Sequence, residues 1–399
     1  MAVVTAVESS LRYRGWRVVA ACFLMALFCW GFAFYGHGVF LAELQRLHGW
    51  STALISGAST ATHLLGALLA AFVASVVDRL GPRILVLAGV AALAGATLLL
   101  TVIDRPWQLY AVYLLMSVGW MGLGLAAIST ILGLWFAERR GLAISLALNG
   151  ASAGGIVVAP ALAFLSQALG FAAALRLATA VMLVVLLPVV VLWIGRPAHR
   201  TAASAGPPLP AFTRAMAMRS FAFWTATASF ALALVAQAGV LVHQIAFLDP
   251  LLGRALAGTA VVVTTGMAVV GRLALGAVVD RLDPRLATAL SLASQVVALA
   301  IMVLTTDPAA LLAACALYGV SVGNIITLPA LIIQREFAPA AFGMVVGLAS
   351  AVAGLVGATG PGLVGLVRDL AGSYPAALAA CALLKVAAAG LVLMRPRRA

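Results

Sequence analysis

Charge is scarce in this chain of 399 residues: 9% are Asp, Glu, Lys or Arg, against roughly 25% in a soluble globular domain. A soluble enzyme or a nucleic-acid binder is excluded on that ground. The four cysteines, Cys22, Cys29, Cys315 and Cys381, show no Cys-x-x-Cys spacing; they read as buried packing residues, and no metal site or disulfide framework is expected. No G-x-x-x-x-G-K-[ST] loop is present, so ATP-driven pumping and enzymatic roles are not expected, nor is any cofactor. Short alternating segments of the porin type are missing. Residues 1–17 have no apolar core ahead of their arginines, so no cleavable leader is expected.

What the chain does hold is apolar length. Hydrophobic residues make up 64% and the mean hydropathy is +1.15. A membrane helix needs about 20 such residues. Runs of that size fall at 16–40, 51–76, 84–103, 107–132, 142–165 and 171–194, then at 221–247, 255–278, 286–304, 309–332, 342–367 and 374–393. The expected fold is an all-α polytopic membrane protein of twelve spans.

Arginine and lysine set the orientation. Loops on the N-terminal side carry 17 of them, and the opposite loops hold only Arg46, Arg105, Arg254 and Arg368. By the positive-inside rule both termini are cytoplasmic. The net charge of +13 is then a topology signal that also favours anionic membrane lipid, with no nucleic-acid partner. Arginine outnumbers lysine 23 to 1, which suggests a bacterial inner membrane. Arg176 and Lys385, inside the sixth and twelfth spans, are expected to snorkel to the interface.

The halves repeat. Ala74 to Arg83, A-S-V-V-D-R-L-G-P-R, returns as G-A-V-V-D-R-L-D-P-R, Gly276 to Arg285, at an offset of 202 residues. The same offset carries Pro106 onto Pro308 and Gly170 onto Gly372. Two pseudo-symmetric six-helix bundles are expected, residues 1–195 and 220–399, joined by a turn-rich cytoplasmic connector at 196–219. Duplication of this kind suits alternating access.

On these residues the chain resembles the major facilitator superfamily over its whole length. The family's loop signature G-x-x-x-D-R-x-G-R-R is matched by Asp78, Arg79, Gly81 and Arg83, and in the second copy by Gly276, Asp280, Arg281 and Arg285. Asp78, Arg79, Arg83, Asp280, Arg281 and Arg285 are therefore expected to form a cytoplasmic gate, pairing with charges and helix ends of the other bundle. Within the family, R-G-W-R-V-V, F-A-E-R-R-G-L-A and G-R-L-A-L-G-A-V-V-D-R are similar to monocarboxylate porters and oxalate–formate antiporters. That resemblance implies a monomeric transporter of a small organic anion, with symport of a proton as one form of coupling.

Arg272 is the sharpest functional candidate. It lies eight residues before Asp280, about 12 Å along a helix, and an arginine so deep faces protein or water. Its planar fork suits a carboxylate, and it matches the family's substrate-binding arginine in span eight. The bland alternative is snorkelling. The family's acid one turn earlier is Ala268 here, its span-one lysine is Tyr35, and nothing from Phe342 to Val367 is charged; one cation argues for one carboxylate. Polar stripes at helical spacing run through Ser56, Thr60 and His63, through Tyr113, Ser117 and Trp120, through Ser145, Asn149 and Ser152, and through Tyr318, Ser321 and Asn324. From them Trp120, Asn149, Tyr318 and Asn324, with Tyr35 at the place of the family's span-one lysine, join Arg272 as expected substrate contacts. All eleven acids fall at loops or span ends. His63 and His243 are left as the proton-coupling candidates. A proton-driven exporter of drugs or apolar metabolites is the competing class; its usual G-P-x-x-G-G order is not kept, because Gly154-Gly155 precede Pro160.

Overall fold

A computed structural model of the chain describes residues 8, 10, 12–136, 139–196, 213–278, 282–338 and 341–395. Among these every regular element is a helix, and twelve are long and apolar enough to span a membrane. They are α1 Gly15–His48, α2 Thr52–Ala70, α3 Pro82–Leu99, α4 Pro106–Trp135, α5 Gly141–Leu169 and α6 Phe171–Trp193. The second six are α7 Phe221–Leu252, α8 Arg254–Leu275, α9 Pro284–Leu304, α10 Pro308–Ile325, α11 Met344–Ala371 and α12 Tyr374–Leu393. The expected all-α class of twelve spans is borne out.

Helices are the only open segments that satisfy their own backbone in hydrocarbon, so the sequence chooses mainly where they start and stop. The two repeats use the same starts. Pro82 and Pro106 open α3 and α4, and Pro284 and Pro308 open α9 and α10, at positions where a missing N–H costs nothing. Asp283 accepts from the N–H groups of Arg285 and Leu286, and Asp307 from that of Ala310, capping orphan donors.

Two boundaries differ from the sequence expectation. The run at 51–76 is not one helix: α2 stops at Ala70, and a short helix, Val73–Leu80, follows. Ala71 and Phe72 bond back to Leu68 and Leu69, the tightened turn that ends many helices. At α7, Asp249-Pro250 does not break the helix. Proline there removes a single donor, and the Gly253 N–H still reaches the Asp249 carbonyl at 2.9 Å.

The chain divides into two compact units. One contains residues 1–48 and 61–205; the other contains 49–60 and 206–399. Residues 49–60 join the second unit through specific bonds: the Ala53 N–H donates to the Asp369 carboxylate at 2.6 Å and the Gly362 N–H to Thr60 Oγ1 at 2.8 Å. A carboxylate suits the positive end of α2.

Inside each unit, small residues let backbones meet. In the first, a Cβ at Gly154 of α5 would collide with the Leu27 carbonyl of α1. In the second, a Cβ at Gly360 of α11 would collide with the Val235 carbonyl of α7. The fifth helix of each repeat thus crosses the first at glycine. At the first of these crossings both helices relax into a π-helical turn, Gly31–Tyr35 and Gly154–Val158. The second unit's core packs Phe230, Leu292, Ile325 and Val392.

Candidate functional site

Arg272 is half-buried on α8. Its position is fixed by the α8–α10 crossing. A Cβ at Gly271 would collide with the Val320 carbonyl, and one at Gly319 with the Thr264 carbonyl. Glycine at both positions therefore lets two helix backbones touch, and Arg272 follows directly on the contact. Asn324 lies just beyond it on α10, buried, with no hydrogen-bond partner for its Oδ1. The crossing thus brings Arg272 and Asn324 onto one rigid pair of helices.

Tyr318, on the same helix, is placed differently from the sequence expectation of a pocket wall. It is 1% exposed and its ring lies under the Lys385 ammonium, 5.3 Å from Nζ. Its hydroxyl is buried without a hydrogen-bond partner. Lys385 is a correction to the sequence reading. It does not snorkel: its side chain is fully enclosed among α7, α9, α10 and α12, with Nζ donating to Gln295 Oε1 at 2.5 Å. The turn of α12 that carries it faces the core, and from mid-helix neither interface is within reach. Arg176 is exposed, as a snorkelling residue should be.

The first unit holds a cluster of rings. His63 lies 5.6 Å from Trp120, 5.6 Å from Phe34 and 5.5 Å from His37, centroid to centroid. Trp120 contacts Trp30 at 4.7 Å, and His37 stacks on Tyr113 at 4.8 Å. The sequence stripes had singled out His63 and Trp120 and missed Trp30, Phe34 and His37. Those three are spaced i, i+4, i+7 on α1, a signal present in the sequence, and the π-turn at 31–35 sits among them; such turns frequently mark functional sites. Tyr35, half-buried, meets the edge of the cluster at Phe34, ring centroids 5.1 Å apart, and Asn149 is exposed on α5.

His243 has a defined tautomer. Its Nε2 lies 3.0 Å from the Pro361 carbonyl, which can only accept, so Nε2 carries the hydrogen. Nδ1 then accepts from the Tyr374 hydroxyl at 3.2 Å. Both nitrogens are satisfied in the neutral ring.

The loop motifs behave as helix-end clamps. Arg285 is 3% exposed and spends all its donors inside the second unit: on Glu336 at 2.6 and 2.8 Å, on the carbonyls of Val392 at 2.7 Å and Met394 at 3.2 Å, and on Thr225 at 3.1 Å. Its repeat partner Arg83 donates to the Ile194 carbonyl at 3.0 Å. Each arginine thus ties down the last turn of the sixth helix of its own unit. For Arg285 the expectation of pairing with the other bundle is corrected, because it has no N–H left to offer. Asp78 and Arg79 are exposed, and Arg196 bonds the carbonyls of Val77 and Asp78. Asp280 and Arg281 lie outside the described residues. Asp283, in the loop ahead of α9, is held below the usual carboxylate range. Its partial burial works the other way, and is outweighed by the Leu286 and Arg285 N–H groups and the Arg395 guanidinium.

The sequence profile of the Major Facilitator Superfamily matches residues 23–361. An uncharacterized transporter of Saccharomyces cerevisiae, ESBP6, is 30% identical over 152 residues, which is 36% of this chain and 22% of the yeast protein; the match spans about a fifth of that relative's length. Among solved structures, a bacterial homologue of the human lysosomal transporter Spinster, inward-facing and unoccupied, superposes with a TM-score of 0.76 at 14% identity, covering 96% of this chain and 97% of that one. The nucleoside transporter NupG gives 0.73 at 13% identity, covering 96% and 100%. These two likenesses establish the fold, and the profile match establishes the family: the chain belongs to the Major Facilitator Superfamily of membrane transporters.

Proposed function

We propose that the protein is a secondary transporter that moves a small organic anion, a monocarboxylate, by alternating access. Its working parts are six-helix bundles at 1–195 and 220–399 with a connector at 196–219, it acts as a monomer in a bacterial inner membrane among anionic lipid, and both termini are cytoplasmic. Arg272 carries this reading. It is a half-buried guanidinium placed in the last turn of α8 by a glycine crossing. Its planar pair of donors suits a substrate carboxylate. Tyr35, Trp120, Asn149 and Asn324 are the further proposed contacts, and symport with a proton is the proposed coupling. The ring cluster around His63 and Trp120 favours a second class of substrate, an apolar or aromatic compound exported against a proton.

Exchange of labelled lactate in proteoliposomes separates the two. Lactate counterflow supports the anion; counterflow of a lipophilic cation with none of lactate supports the exporter. In the same vesicles Asp78→Asn and Asp280→Asn should slow transport several-fold and leave binding intact, since gating aspartates do not touch substrate. Loss of binding in either folded variant would remove them from the gate.

A further inference from the structure

Lys385 is the chain's single lysine, and it is 0% exposed at the middle of α12. Leu393 is eight residues away, about 12 Å along the helix, so the amine cannot reach an interface. Three groups surround it: Gln295 Oε1 on α9 at 2.5 Å, the Ala233 carbonyl on α7 at 3.5 Å, and the face of the Tyr318 ring on α10 at 5.3 Å. Each of the three presents electron density. An amide oxygen and a carbonyl accept hydrogen bonds, and a ring face attracts a cation. None of these contacts donates to the lone pair of a neutral amine, so the cage is built for the ammonium.

Yet the cage contains no countercharge. Among the described residues no carboxylate pairs with Lys385. The titratable neighbours are Tyr318 itself and, on α12, Cys381. On α11 the charged residues are Arg368 and Asp369, which engage Tyr374 and Ala53 at the other end of the helix pair. On α7, His243 is taken up by Pro361 and Tyr374. On α9, Arg285 at the helix start is spent on Glu336 and the last turn of α12. An ammonium held by dipoles alone in a dry core depends on every one of those dipoles staying in place.

One of them sits on a part that carries the proposed substrate contact. Tyr318 belongs to α10, and α10 is locked to α8 at Gly271 and Gly319, next to Arg272. A shift of the α8–α10 pair against α12 moves the Tyr318 ring off the amine and removes a third of the cage. We propose that Lys385 is the proton-carrying residue of the transport cycle. The closed cage holds the amine as the ammonium, and a shift of the α8–α10 pair opens it to water, where the ammonium gives up its proton and the amine takes one up again before the cage recloses. This rests on the transporter reading above and assigns its coupling to a residue other than His63 or His243.

The test uses the full-length protein in lipid nanodiscs, grown with [15N]lysine. A single lysine gives a single side-chain signal. That signal should pass between ammonium and amine forms across the pH range in which the protein stays folded; a signal fixed in one form throughout overturns the proposal, whatever the substrate. In proteoliposomes supplied with lactate, folded Lys385→Gln and Lys385→Arg should lose pH-driven accumulation and keep lactate exchange, because the first cannot be charged and the second cannot be discharged. Accumulation that survives in either variant overturns the proposal, and so does joint loss of exchange and accumulation, which marks a packing role. If the parent protein does not move lactate, the anion reading fails, and the lysine signal still decides the role of Lys385.

Discussion

Arg272→Lys should bind a monocarboxylate nearly as poorly as Arg272→Ala, about a hundredfold or more below the parent protein. Lysine keeps the positive charge and loses the planar pair of donors that grips a carboxylate in two places. Leaving a buried anion without that partner costs about 3–5 kcal/mol, and every 1.4 kcal/mol is about tenfold in affinity. The side chain is half-buried at a helix crossing, so the cost should fall towards the lower end of that range. A snorkelling arginine predicts the reverse, because lysine snorkels equally well. Direct binding to each variant, after a check that it inserts and folds, decides between them. Near-normal affinity in Arg272→Lys would move the residue from the substrate to the interface.

Arg285→Ala should be among the most destabilising single changes in the second unit. It strands the Glu336 carboxylate, 22% exposed, and frees the carbonyls of Val392 and Met394 from their clamp. Breaking such a pair from one side costs about 3–5 kcal/mol, whereas Arg83→Ala removes a single carbonyl contact worth about 1 kcal/mol. Thermal unfolding of both in detergent should therefore rank Arg285→Ala far below Arg83→Ala. Adding Glu336→Ala to Arg285→Ala should restore part of the loss, since the stranded charge goes with it. Equal melting temperatures for the two single variants would contradict the clamp.

Much of this was legible without coordinates because a membrane imposes simple rules. Apolar length located the twelve spans; the arginine counts and the second D-R-L-x-P-R supply the proposed orientation and the proposed pair of bundles. Whatever depends on contacts distant in sequence was not legible. Arg285 looks like a gate residue in its loop motif; its clamp on Glu336 and the end of α12 lies 51 to 109 residues away. Lys385 looked like a snorkelling residue because its partner Gln295 is 90 residues off and no spacing rule connects them. Trp120 and His63 stood out on polar stripes. Trp30, Phe34 and His37 did not, since an apolar face on a membrane helix is ordinary, and only the packing shows that these rings meet. At α7, Asp249-Pro250 reads as a break by the usual turn rules, yet a helix end loses little by a single missing donor.

The organic-anion assignment is tested most directly by a ligand panel on the purified protein. A ligand that binds only the folded state raises apparent stability, by about 2.7 kcal/mol at a hundred times its dissociation constant. Short monocarboxylates should raise the unfolding temperature in a saturable way, amines and apolar drugs should not, and the rise should vanish in Arg272→Lys. Stabilisation by amines or apolar drugs, with none by any carboxylate, would contradict the assignment and leave Arg272 without its proposed substrate.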